Sequence, residues 1–307
     1  MESQWSNLPY DLLSRIARDL ELIDFLSFRG VCRDWNIASS KTSPQDKSRE
    51  SDLWFLTYGG GEGSQCSLLN NGDKVYSISI PELEGATCLA SYDGWLLLFC
   101  QGSMFFFCPF SRAKIELPNC PFTELTNHVA AFSSAPTSQD CTVAVISRSH
   151  ERDLELFVLC RGDNEWGKHT YHSDVLETIR AAIFYEEKFH FLDGFDILLT
   201  FDAAKTKEWN TYRIVTKPRA STVGVLNYRV RKDYFGKKDI KRKLGLEEDV
   251  SISICGTQAP SERCGYKEII QSESIEATAE ATAASQSRDL KGIWIRPRYH
   301  VHPDQKW

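Results

Sequence analysis

The chain has 307 residues, 42% of them hydrophobic and 25% charged, with a net charge of −6, a composition that suits a globular protein of one large and one small domain. The acidic balance gives no reason to expect general affinity for nucleic acid or a membrane surface, and no window approaches the ~18 consecutive apolar residues of a bilayer span. The opening MESQWSN lacks both a basic and an apolar region, so no secretory or transit peptide is expected, and the cytosol or nucleus is the expected location.

From Leu8 to Trp35 the chain reads LPYDLLSRIARDLELIDFLSFRGVCRDW. Leu12, Ile16 and Leu20 recur every four residues with Leu13 alongside, and Phe28, Val31, Cys32 and Trp35 fall at i, i+3, i+4 and i+7; both periods are helical. Ser6 or Asn7 is placed to cap the first helix, with Pro9 in its opening turn, and Asp24 to cap the second. Gly30 costs about 1 kcal/mol relative to Ala inside a helix, which predicts a break between two short helices packed at an angle. A helical element of roughly 40 residues is too small to bury its own apolar surface, so it must lean on the next domain or on a partner.

The polar stretch Ala38–Asp52 reads as a linker and predicts a helical domain at 1–45, a linker at 46–52 and a second domain at 53–307. Beyond it come short runs rich in aromatic and β-branched residues, bounded by Gly, Pro, Asn or Asp. Expected strands are Leu53–Tyr58, Lys74–Ile80, Trp95–Cys100, Met104–Cys108, Thr142–Ile146, Leu154–Leu159, Ala182–Tyr185, Lys188–Leu192, Ile197–Phe201, Thr211–Val215 and Val250–Ile254. With no helical pattern between them, the fold class is mainly β with a small N-terminal α-helical domain, the β body being a sandwich, barrel or propeller. Trp166 and Trp209 stand 43 residues apart, each after a turn and before a short strand, a period that favours the propeller. Trp95, Trp166 and Trp209 are expected to be substantially buried. The terminal IWIRP returns to strand character, so the end of the chain is expected to close the β body.

Ten cysteines include no C-x-x-C pair, and several lie in apolar runs such as LLLFC and FFFC, the setting of buried free thiols. The stretch Arg229–Lys243 holds eight basic and two acidic residues. It reads first as a solvated face, with nuclear localisation, phosphate binding or docking of acidic targets as the functional alternatives. Glu276–Arg288 reads as a flexible loop of low complexity. His169 and His172 form an H-x-x-H without a third ligand at metal-site spacing, and His300 and His302 alternate along an extended segment, so no metal and no cofactor is expected. Neither a phosphate-binding glycine loop nor a nucleophile elbow is present, and no catalytic residue is expected.

Leu8-Pro9, Asp11-Leu12-Leu13, Ile16, Asp24-Phe25-Leu26, Phe28-Arg29, Val31-Cys32-Arg33 and Trp35, in that order and without a gap, resemble the F-box, the motif by which substrate receptors dock on the Skp-type adaptor of cullin-based ubiquitin ligases. Further on, IPELEGATCLASYDGWLLL, CPFSRAKIELP, GDNEWGKHT and YEEKFHFLDGFDILLTFD resemble the kelch-like or propeller-like domain that follows the F-box in a large plant family; Cys108 stands where many of its members carry Asn before Pro-Phe. The resemblance implies adaptor-binding or helix-packing roles for Leu8, Pro9, Leu12, Leu13, Ile16, Leu20, Phe25, Val31, Cys32 and Trp35. It also implies a non-catalytic subunit whose partners are the adaptor, through it a cullin, and a protein target held for ubiquitin-dependent degradation. A propeller enzyme or sugar-binding module is the alternative, and a receptor that docks without a dedicated target is a third reading.

Overall fold

The computed structural model describes residues 8–44, 53–59, 64–70, 74–149, 153–172, 178–194, 197–204, 207–213, 228–231, 242, 251–254, 257–258, 267–270, 289–300 and 307. Three helices open it: α1 (Tyr10–Asp19), α2 (Leu22–Arg29) and α3 (Arg33–Ser39). Pro9 precedes α1 instead of lying in its first turn; its backbone is extended, and its carbonyl accepts the amides of Leu12 and Leu13 at 3.0 and 3.1 Å. Helix α2 starts behind Glu21, which puts Asp24 inside the first turn and not at the cap. A carboxylate there still faces the positive end of the helix dipole. Ser6 and Asn7 lie outside the described residues. At Gly30 the chain leaves α2, as the helix-breaking cost predicts, and α3 folds back so that the Trp35 ring meets Phe28 at 4.4 Å between centroids.

The β body is built of antiparallel meanders. The strands β4 (Thr87–Tyr92), β5 (Trp95–Cys100), β6 (Ser103–Phe107) and β7 (Lys114–Glu116) follow one another across one sheet. The next sheet holds β8 (Val129–Phe132), β9 (Thr142–Arg148), β10 (Leu154–Cys160) and β11 (Gly167–Tyr171). A further sheet holds β12 (Ile179–Tyr185), β13 (Lys188–Asp193), β14 (Ile197–Phe201) and β15 (Trp209–Arg213). The first unit differs: β1 (Trp54–Tyr58), β2 (Gln65–Leu69) and β3 (Val75–Ser79) are completed by the last strand of the chain, β20 (Asp289–Ile295), which pairs with β1 from Trp54↔Ile295 to Tyr58↔Lys291. Of the shorter strands, β16 (Tyr228–Arg231), β18 (Thr257–Gln258) and β19 (Lys267–Ile270) extend the sheet of β4, and β17 (Ser251–Ile254) runs parallel to β20. Contacts run from β20 to β4, from β4 to β8 and from β8 to β12. The first strands of successive units therefore adjoin one another, as in a propeller.

Stacking explains the sequence pattern. Along β9, Val143 and Val145 enter the core shared with the preceding sheets, while Ala144 and Ile146 enter the core shared with the following one. A blade covered on both faces loses the usual apolar and polar alternation, which is why WLLLFC and SMFFF are buried almost end to end. Trp95 is fully buried, whereas Trp166 and Trp209 are half-buried at the outer strands of their sheets. There Trp166 Nε1–H donates to the Pro118 carbonyl at 3.4 Å, and Trp209 packs against Phe201 and Tyr171. The two rings thus mark equivalent places in consecutive four-stranded units. Of the expected strands, Thr211–Val215 begins two residues earlier, at Trp209 in β15, and residues 214, 215 and 250 lie outside the described residues.

The pairing of β20 with β1 leaves little room for a side chain at Gly292. A Cβ there would sit 2.3 Å from the Phe55 ring, which is fully buried. We expect Gly292→Ala to cost about 1–3 kcal/mol through overpacking, measured as a lower urea midpoint, with Phe55→Leu restoring part of the loss in the double variant. A second expectation concerns His190, which is buried with its Nε2–H donating to the Tyr185 carbonyl at 3.0 Å. Burial pushes its imidazole down from 6.5 to about 4. The unfolded chain therefore binds the extra proton across that window, and stability falls as pH drops from 6.5 toward 4, by on the order of 3 kcal/mol for this group. Urea titrations across the window should show a shallower pH dependence for His190→Asn than for the wild type.

Candidate docking surface

The helical head is held by a small set of contacts. Ser14 Oγ–H donates to the Ala38 carbonyl at 2.7 Å, joining α1 to α3. The Arg29 guanidinium donates to Ser39 Oγ at 3.1 Å and Asn36 Oδ1 at 3.2 Å, joining α2 to α3. Inside, Leu13, Ala17, Phe25, Phe28 and Ala38 form the core, with Leu8, Leu20 and Trp35 half-buried against it.

This packing sorts the residues singled out from the sequence. Leu13 and Phe25 point into the head; Leu8, Leu20 and Trp35 border it; Pro9, Leu12, Ile16, Val31 and Cys32 are exposed. Leu12, Ile16 and Val31 keep 48%, 41% and 58% of their surface open to solvent. Scattered surface apolar residues are ordinary, but a head this small offers water several large aliphatic side chains while its core is filled by others. Tyr10 and Ile37 join them: both are exposed, and the Tyr10 hydroxyl donates to the Ile37 carbonyl at 3.4 Å. Neither was identified from the sequence. Ile37 follows Trp35 by two residues, so it lies across the helix from the core stripe that periodicity detects.

Among the described residues, the groups suited to bond chemistry that the sequence singled out do not converge. The His169 ring packs on Phe201 at 4.7 Å, and burial lowers its pKa, while His172 Nδ1 lies 2.7 Å from Asp153 Oδ1. Among the described residues no three His, Cys, Asp or Glu gather as a metal-binding group. Burial pushes the Cys66 thiol up to about 11 and Cys141 up to about 12, which keeps both protonated and poorly nucleophilic. Of the basic stretch, Arg229–Arg231 belong to β16 and Arg242 is exposed; its other residues, Glu276–Arg288 and His302 lie outside the described residues.

Residues 5–45 match the F-box domain model, and residues 65–241 match the model of the KIB1-4 beta-propeller. An F-box/kelch-repeat protein of Arabidopsis thaliana is 25% identical over 271 residues, covering 81% of this chain and 75% of the relative. Two further Arabidopsis thaliana F-box proteins are 32% and 26% identical over 48% and 66% of this chain, which spans only 36% and 55% of their own lengths. Among solved structures, the WD40 domain of SCAP from fission yeast shares 9% identity over 56% of this chain and 46% of that one, with a TM-score of 0.28, too slight a likeness to carry an argument.

The sorting of the head is testable by stability. Leu13→Ala or Phe25→Ala should cost about 2–5 kcal/mol by opening a cavity, whereas Leu12→Ala should stay within about 0.5 kcal/mol. Hydrogen exchange of the α1 and α2 amides in the full chain reads both changes.

Proposed function

This chain belongs to the KIB1-4 beta-propeller family and carries an F-box domain, and from that premise we propose that it is a substrate-recruiting subunit of a Skp–cullin–F-box ubiquitin ligase. The head docks on a Skp-type adaptor, and the propeller holds a protein target. No bond is made or broken by this subunit. It acts by tethering, which raises the effective concentration of a target lysine near the ubiquitin-loaded enzyme. Cytosol and nucleus are the compartments in which we place this activity.

The observation that carries the docking reading is the exposure of Leu12, Ile16 and Val31 on a head whose own core is already filled. Burying such a side chain at an interface contributes roughly 1.5–3 kcal/mol. Pro9 and Cys32 stand open beside them in the chain, and Leu8 is half-buried. All of these fall within the segment that matches the F-box domain.

Co-expression with a Skp-type adaptor followed by pull-down tests this reading. Wild-type protein should retain the adaptor. Leu12→Ala with Ile16→Ala should weaken retention about a thousandfold if each anchor costs about 2 kcal/mol and the costs add. Both residues are exposed, so the fold survives the change. A wild-type chain that fails to hold the adaptor, or a double variant that holds it equally well, would refute the docking role.

A further inference from the structure

Directly after β20 the chain runs Arg296-Pro297-Arg298-Tyr299-His300, and this short segment touches both parts of the molecule. On the propeller side it is seated on the β4–β5 turn. Arg298 Nε lies 2.8 Å from Asp93 Oδ1, His300 Nε2–H donates to the Asp93 carbonyl at 2.6 Å, and the His300 ring packs on Trp95 at 5.2 Å. Cys108 Sγ–H donates to the Arg298 carbonyl at 3.5 Å. The turn is shaped for this seat: Gly94 has φ +84°, and a Cβ on it would stand 2.9 Å from Arg298 Cβ and 3.1 Å from the Arg298 carbonyl oxygen.

On the other side, Tyr299 reaches the head. Its ring meets the Phe25 ring edge-on at 4.8 Å, and the Arg29 guanidinium lies over both rings, 5.4 Å from Tyr299 and 5.8 Å from Phe25. Burial raises the Tyr299 pKa, so the phenol stays protonated beside the cation. Leu22 and Leu26, one turn apart on the same helix, pack against the large propeller core. Helix α2 thus spends its outer face on the β body, while Leu12, Ile16 and Val31 remain exposed.

We infer that the Arg296–His300 segment is a clasp that fixes the helical head to the propeller, and that Tyr299 is the positioning residue through which it grips α2. On the reading of the head as the adaptor-docking element, the clasp sets the orientation in which a bound target is presented. Edge-on aromatic pairing and a cation over an aromatic face each add to plain burial. Together they justify assigning the grip to one ring.

The test uses the full chain and compares wild type, Tyr299→Ala and Tyr299→Phe by hydrogen exchange and by adaptor pull-down. In Tyr299→Ala, the amides of α2 should exchange roughly five- to fiftyfold faster, while those of β5, β6, β9 and β10 keep their protection. Tyr299→Phe, which keeps the ring, should exchange like wild type. Tyr299→Ala should still retain the adaptor, because the exposed face is untouched. Unchanged exchange of α2 in Tyr299→Ala would overturn the proposal. So would loss of protection throughout the blades, which would make Tyr299 an ordinary propeller core residue, or loss of the adaptor by that variant. Failure of the wild-type chain to bind the adaptor would count against the docking role alone, leaving the exchange measurements to decide the clasp.

Discussion

The pairing of β20 with β1 is the contact on which the β body depends. Without it, β1 would be the open edge of the first unit, paired with β2 alone. Long-range closure has an entropic cost, but that cost grows slowly, by about 0.6 kcal/mol for each doubling of the loop. The return is large by comparison. β20 brings Ile293, Trp294 and Ile295 into burial, the Ser91 hydroxyl donates to the Trp294 carbonyl across 203 positions of chain, and the Lys291 ammonium donates to the Ala86 carbonyl and to Thr87 Oγ1. Three ties of different chemistry therefore converge on one strand. The same strand delivers the segment that meets the head, so completion of the first blade and interdomain contact share one origin.

How far the fold could be read from sequence depended on where a strand sits in its blade. Middle strands such as Trp95–Cys100 and Leu154–Cys160 announce themselves because both faces are covered and the apolar run is continuous. Strands nearest the shared axis are crowded and use small residues. Ala90 and Ser91, Ala131 and Ala182 line one narrow space there, and such residues lack the branched bulk that marks a strand. That is why β4 and β8 were not anticipated and β12 was read from Ala182 onward although it begins at Ile179. Strand β2, with Gln65 and Ser67 among its five residues, escaped for want of a long apolar run.

In the head, periodicity located the helices but could not separate neighbours with the same chemistry. Leu12 and Leu13 are adjacent leucines; one is exposed and the other fully packed. The core of the head, to which α2 and α3 contribute Phe25, Phe28 and Ala38, decides between them, and the Ser14 hydrogen bond to Ala38 that joins α1 to α3 spans 24 positions, beyond the reach of a local pattern. Tyr299 was invisible for the same reason. Nothing in RPRYH signals a partner almost the full length of the chain away.

A strand borrowed from the end of the chain also orders events in time. Synthesis runs from the N-terminus, so the ribosome releases α1, α2 and α3 long before residues 289–300 exist, and domains tend to fold as they emerge. During that interval the head has no Tyr299 to grip it, although residues 56–159, which supply most of the core that Leu22 and Leu26 pack against, are already made. A nascent chain that has not yet reached β20 therefore carries a helical head without its Tyr299 contact and a first sheet in which β1 pairs with β2 alone. Synthesis of β20 and the residues behind it is thus a single late event that covers the free edge of β1 and supplies the ring that grips α2.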